Sequence, residues 1–232
     1  MYGVYSNCNN LTTAVCGHNV TCMSETYRKC TNLTTAVCGD KVTDMDYAYF
    51  GCINLTTAVC GPNVTNMSHA YFDCKNLTTS VCGPNVTDMS YVYYNCTNLT
   101  TAVCEPNVTN MTSAYSDCTN LTTAVCGPIV TDMGFAYMNC TNIQGNSYFY
   151  SSNISFIRSC FSGRTTSNML NIYVQENSTT MNTCLINDGL SLIGSTITWT
   201  NDSANKKYYN TQANIYIYPV ANVYQAKVDN GD

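Results

Sequence analysis

The segment NLTTAVCGPNVTNM at residues 54–67 is one copy of a text that the chain repeats almost letter for letter. Residues 32–45 read NLTTAVCGDKVTDM, 76–89 NLTTSVCGPNVTDM, 98–111 NLTTAVCEPNVTNM and 120–133 NLTTAVCGPIVTDM. Cysteines mark the period. One series falls at 8, 30, 52, 74, 96, 118 and 140, a second at 16, 38, 60, 82, 104 and 126, both with a step of 22. A 22-residue unit is too short to enclose its own core, so each must bury its apolar face against the next. The expected architecture is a solenoid.

Within a unit, Leu33, Ala36 and Cys38 are expected to point inward from a short strand, with Thr35 and Val37 outward by alternation. The same pattern predicts parallel, in-register strands at 33–38, 55–60, 77–82, 99–104 and 121–126, with Leu55, Cys60, Leu77, Cys82, Leu99, Cys104, Leu121 and Cys126 in the core. Gly39, or Gly61-Pro62 one unit on, ends the strand. Val42, Met45 and Ala48 follow at a spacing of three, which predicts a short helical turn capped by Thr43 or Asp44. Cys52, Cys74, Cys96, Cys118 and Cys140 close successive coils from inside. The fold class read from this pattern is an α/β solenoid, right-handed, of short parallel strands and helical turns.

The stretch YAYFGCINLTTAVCGPNVTNM (47–67) resembles the BspA-like leucine-rich repeats, in which an Ala-aromatic-x-x-Cys segment precedes Asn-Leu-Thr and a short strand. The resemblance covers residues 1–140 and departs from the family at the strand end, where Cys38-Gly39 stands in place of Ile-Pro and adds a second row of sulfur. The family consists largely of bacterial, protist and phage-encoded surface proteins. The resemblance therefore implies adhesion or recognition without catalysis, at an extracellular, cell-surface or virion-surface location.

Two regions follow: regular repeats over 1–140, and divergent repeats merging into a β-rich C-terminal cap over 141–232. In the second, Ile154, Ile157, Cys160 and Phe161 reproduce the turn-side stripe, with Met181, Cys184 and Leu185 repeating it in part. Met169, Ile172 and Val174 reproduce the strand, Ile197 and Trp199 supply another, and NIYIYPV (214–220) is a last strand that Pro219 stops. The closing AKVDNGD is expected to fray. Met1 and Cys8 keep the offset of Met23 and Cys30, so the sequence enters in mid-repeat, as expected of a piece of a longer chain or a mis-set start.

Composition narrows the function. The 232 residues are 45% hydrophobic but only 10% charged, with net charge −5, and no basic run offers a footprint for nucleic acid. No stretch reaches the ~18 apolar residues that span a bilayer, so membrane insertion is not expected. Catalysis needs a non-repeated set of acid, base or nucleophile in a pocket. The repeats offer none, and no cofactor is expected.

The even count of 16 cysteines raises the question of disulfides. Cys30 and Cys38 flank one extended strand and should lie ~20 Å apart, beyond bridging range. Neighbours in a row, such as Cys38 and Cys60, should stack ~4.8 Å apart with parallel Cβ vectors, which favours free buried thiols over bridges. No CxxC occurs and there are only two histidines, so no metal site is expected, although His18 and Cys22 stand near Cys16. The dense Asn-x-Ser/Thr triplets (Asn32, Asn54, Asn63, Asn66, Asn76, Asn85) read as turn formers, with an Asn ladder at 32, 54, 76, 98 and 120.

The outward Thr-Val row is the same in every unit, whereas the turn side varies: Asp46-Tyr47, Ser68-His69, Ser90-Tyr91, Thr112-Ser113 and Gly134-Phe135. The candidate partner-binding residues are therefore Tyr47, His69, Tyr91 and Phe135, joined by Tyr49, Tyr71 and Tyr93. The expected partner is a protein or glycan on a cell surface. The competing reading is a structural spacer, a cell-surface stalk or phage tail-fibre segment, and the repeat is compatible with a homo-oligomer or fibre.

Overall fold

The computed structural model of the chain describes residues 2–79, 81–165, 167–185, 193 and 198–232. Strands β1 (Thr13–Val15), β2 (Thr35–Val37) and β3 (Thr57–Val59) form a parallel sheet in that order. Every pairing joins equivalent residues of adjacent coils, Ala14 with Ala36 and Ala36 with Ala58. A second parallel ladder runs through Cys22, Asp44, Asn66, Asp88, Asn110 and Asp132 to Phe156. The core between the ladders contains the expected Leu33, Ala36, Leu55, Leu77, Leu99 and Leu121, with Val42, Met45, Ala48 and Cys52 and their equivalents.

The helical turn is replaced by something else. Among the described residues, helix occurs only after residue 178. In residues 45–52 the N–H groups of Ala48, Phe50 and Cys52 donate three residues back, to Met45, Tyr47 and Tyr49. Those of Met45, Tyr47, Tyr49 and Gly51 donate to Asn66, Ser68, Ala70 and Phe72 of the next coil. An α-helix spends all its interior N–H groups on its own carbonyls. Here every second one binds the neighbouring coil, and left-handed φ values at Tyr47 (+54°) and Gly51 (+73°) permit this.

A continuous column of tyrosines fills the inside of these turns. Tyr27, Tyr49, Tyr71, Tyr93, Tyr115 and Tyr137 stack ring on ring at 5.3–5.5 Å, and Phe161 ends the column. This corrects the assignment of Tyr49, Tyr71 and Tyr93 to the binding surface, because all three are fully buried. The inward set is Met45, Ala48, Tyr49 and Cys52, an i, i+3, i+4, i+7 face, and a spacing of three alone leaves out its largest member.

The column also explains a difference in the strands. No strand forms at 99–104 or 121–126, nor among the described residues of 77–82. There the tyrosine hydroxyls enter the ladder. Tyr93 Oη accepts from Val81 N–H at 2.8 Å and donates to Val81 O. Tyr115 does the same with Val103, and Tyr137 with Val125. In the earlier coils Val37 O and Val59 O accept instead from Cys16 N and Cys38 N of the coil before. The hydroxyls of Tyr49 and Tyr71 are buried with no partner among the described residues.

The two cysteine rows do different work, and no disulfide joins the described cysteines. In the first row Cys52, Cys74, Cys96, Cys118 and Cys140 donate Sγ–H to the carbonyls of Tyr27, Tyr49, Tyr71, Tyr93 and Tyr115 in the coil before. Cys8, at the start of that row, is exposed. In the second row Cys16, Cys38 and Cys126 are buried, but Cys60, Cys82 and Cys104 are only partly so, short of the full burial expected. At Gly61 the coils approach closely, whereas the equivalent position two coils on holds Glu105. A Cβ on Gly61 would sit 2.7 Å from Gly39 O and 3.1 Å from Cys38 Sγ.

Beyond residue 140 the stack continues into a five-stranded sheet of order β4-β5-β8-β7-β6. Its members are β4 (Gly145–Phe149), β5 (Leu170–Gln175), β6 (Thr200–Asp202), β7 (Lys207–Asn210) and β8 (Ile215–Val220). β4, β5 and β8 are parallel, whereas β7 runs antiparallel to both β8 and β6. Ile154, Ile157, Cys160 and Phe161 are buried as expected, and so are Ile172 and Val174, while Met169 is exposed. Met181, Cys184 and Leu185 lie on or beside helix α1 (Thr179–Cys184), with Cys184 fully buried. The strand at 214–220 runs through Pro219 to Val220, because β7 pairs only as far as Ile217 and asks for no N–H at 219. Trp199 precedes β6, and the expectations at Ile197 and Met1 lie outside the described residues. The tail expected to fray forms helix α2 (Val223–Asp229), with Asn222 as its cap.

Candidate functional site

The turn side carries two left-handed residues per coil. The first falls at Glu25, Tyr47, His69, Tyr91, Ser113, Phe135 and Ser159. Positive φ is rare for such bulky residues, yet it recurs whatever the side chain, so the coil-to-coil hydrogen bonds impose it. Its consequence is directional: the side chain at 47 leaves the core while that at 49 enters it.

In three consecutive coils these outer side chains are aromatic and touch. Tyr47, His69 and Tyr91 stack at 4.2 and 4.7 Å. A second file, Phe50, Phe72 and Tyr94, stacks at 4.6 Å per step. The files meet through Tyr47–Phe50, His69–Phe72 and Tyr91–Tyr94 at 5.6–6.3 Å. The result is a two-by-three array of rings, each half-buried.

Polar groups bound the array. At one end the Arg28 guanidinium lies 5.2 Å from the Phe50 ring and 6.0 Å from that of Tyr47, and pairs with Glu25 at 3.3 Å. At the other end Ser113 and Ser116 take the ring positions, and a hydrogen bond to Asp117 raises the pKa of the Tyr94 hydroxyl. Phe135 holds the equivalent position two coils beyond Tyr91, but Ser113 separates it from the array, and Arg158 lies 5.9 Å from its ring. Of the expected binding residues, then, the structure brings together Tyr47, His69 and Tyr91 and sets Phe135 apart. The second file and Arg28 went unassigned from sequence. The signal was available in the repeat itself, where position 49 is Tyr in every regular coil and position 50 is not.

His69 sits at the centre. Its Nδ1 lies 2.8 Å from Ser68 Oγ and 3.9 Å from Asp46 Oδ1. Burial between two rings lowers its pKa below the ordinary 6.5, partly offset by Asp88. Among the described residues no group of three or more His, Cys, Asp or Glu side chains is placed to hold a metal.

Comparison with known proteins bears on the repeat fold. A family model described as the BspA type leucine rich repeat region matches residues 2–122 in six copies. A second, described as a Mycoplasma protein of unknown function, DUF285, matches residues 65–187. No curated protein shows a significant match. Among solved structures, the leucine-rich repeat protein of T. pallidum superposes with a TM-score of 0.59 at 17% identity, over 66% of this chain and 77% of that one. A leucine-rich repeat protein from Bacteroides ovatus gives 0.44 at 13% identity, over 75% and 58% of the two chains.

Proposed function

The chain belongs to the BspA-type leucine-rich repeat family, and we propose that it is a non-enzymatic recognition module, displayed on a cell or virion surface, that binds a protein partner through the aromatic array on its turn side. One observation carries this reading. Coils otherwise copied almost unchanged carry contiguous rings at Tyr47, His69, Tyr91, Phe50, Phe72 and Tyr94, bounded by an arginine. Aromatic residues and arginine are the side chains that anchor protein interfaces, and rings held by their neighbours lose little freedom on binding. The strand face repeats one Thr-Val pair and offers no such distinction.

The near-identity of the coils supports the competing spacer reading, and one experiment separates the two. Retention of labelled chain on a panel of cell surfaces is measured for the Tyr47→Ser, His69→Ser, Tyr91→Ser triple variant and for a series of chains shortened by successive 22-residue units. Recognition through the array predicts about a tenfold or greater loss in the triple variant. Full retention in the triple variant, with loss graded by the number of units removed, decides for the spacer.

A further inference from the structure

The uniform strand face ends at β4, and an open cleft begins there. Asn146, Tyr148 and Tyr150 follow on from Thr123 and Val125, and the last segment of the chain folds back over them, with α2 packed on β4 and β5. The Tyr224 ring stacks on Tyr150 at 4.4 Å. Asp232 closes the far side by accepting from Asn146 Nδ2 at 2.7 Å and Tyr148 Oη at 2.5 Å. Thr123, Val125, Asn146, Tyr148, Tyr150, Lys227 and Asp232 are among the residues lining a cavity of about 370 Å³, within the range of small-molecule sites.

The hydrogen bonds sort its groups into supports and free valences. Both donors bind Oδ2 of Asp232, and Asn230 Nδ2 donates to Tyr148 Oη. Asn171 occupies Asn146 Oδ1. That network orients Asp232 and holds its carboxyl below the usual pKa range, so the group is charged at neutral pH. Among the described residues, Asp232 Oδ1 and the Lys227 ammonium form no hydrogen bond or ion pair. Asp232 N–H donates to Lys227 O, which ties the two together. Together they offer an acceptor and a donor beside the apolar flank of Val125 and the Tyr150 ring.

A pyranose has that complementary surface, with hydroxyls that donate and accept along its edge and C–H bonds across its face. We propose that this cavity is a saccharide-binding site taking one neutral sugar unit, with Lys227 donating to one hydroxyl, Asp232 Oδ1 accepting from its neighbour and the C–H face against Tyr150. The site is separate from the aromatic array, so either stands if the other fails.

The test is ligand-observed NMR on the full chain with a panel of free neutral hexoses and N-acetylhexosamines. Saturation transfer to at least one sugar is expected. Affinity should fall about tenfold in Lys227→Met, which keeps the apolar stem, and in Asp232→Asn, as expected for losing one charge-assisted hydrogen bond. Binding should be unchanged in Tyr47→Ser. Circular dichroism on each variant verifies the fold, and Lys227→Met carries the decision if Asp232→Asn loosens the terminal segment. The proposal is overturned if no sugar in the panel gives transfer, if binding survives Lys227→Met, or if free glycine displaces the sugar more effectively than another sugar does.

Discussion

Asn66 Nδ2 donates to Asp44 Oδ1 at 3.0 Å, across one coil step. Both side chains also cap the turn in their own coil, Asp44 accepting from Asp46 N and Asn66 from Ser68 N. Along this ladder acid and amide alternate: Asp44, Asn66, Asp88, Asn110, Asp132. A second column repeats the device, with Asn95 donating to Asp73 and Asn139 to Asp117. Carboxylates in adjacent coils would stack ~4.8 Å apart, whereas alternation separates them to ~10 Å, about a Debye length. Asn66→Asp places three carboxylates in succession and removes a donor. It should cost about 1–3 kcal/mol at neutral pH, measured by urea denaturation, and recover as pH falls through the carboxylate range. Asp44→Asn keeps the turn cap and should cost less.

The tyrosine column predicts opposite outcomes for one substitution at two sites. Tyr93 Oη serves both the N–H and the C=O of Val81, so Tyr93→Phe leaves two backbone groups to find new partners. A loss of about 1–3 kcal/mol is expected. Tyr71 Oη is buried without a partner among the described residues, and Tyr71→Phe removes a polar group that gains nothing there. That variant should be neutral or more stable in the same denaturation assay. Equal losses at both positions would show that the hydroxyls are equivalent.

The repeat made the stacking and the strand register legible, because a step of 22 leaves each coil only its neighbours as partners. What misled was the reading of Val42, Met45 and Ala48 as helix. The spacing is real, but which N–H binds which carbonyl depends on the next coil, and one unit considered alone cannot show that. The same error turned Tyr49, Tyr71 and Tyr93 outward. Tyr47, His69 and Tyr91 stand out in the sequence by varying against a constant background, whereas the contact of Arg28 with Phe50 joins two coils and leaves no such mark. In the cap, the helix over 223–229 was hidden by polar residues whose order depends on docking against β4 and β5.

Thiol labelling should follow burial. Burial pushes the thiols of Cys52 and Cys118 up to about 12, and those of Cys74, Cys96 and Cys140 well above the ordinary value. Only the thiolate reacts. A maleimide at mildly alkaline pH should therefore label exposed Cys8 first and partly buried Cys22 next. Cys52, Cys74, Cys96, Cys118 and Cys140 should react only as denaturant opens the stack. Mass spectrometry of quenched time points reads the order, and early labelling of Cys74 or Cys96 would place that row outside the core.

The stacked His69 gives the aromatic array a pH dependence of defined sign. Its pKa in the fold lies below the ordinary 6.5, chiefly from burial between Tyr47 and Tyr91, with Asp88 opposing. As pH falls through 6.5 the unfolded chain therefore takes up the proton first, and stability declines until the folded imidazole is also protonated. Above 6.5 the contribution is constant. Nearby Asp46 acts in a lower window, because burial raises its carboxyl from the ordinary 3.8. Thermal denaturation from about pH 8 down to about pH 5 should thus show a midpoint that falls on the acid side, within the range where histidine titrates. His69→Phe keeps a ring between Tyr47 and Tyr91 but carries no proton, so its profile should lose that fall. If the array is the binding face, the partner's affinity should weaken over the same acid window in the parent chain and hold steady in His69→Phe. An unchanged acid slope in that variant would show that His69 is not its source.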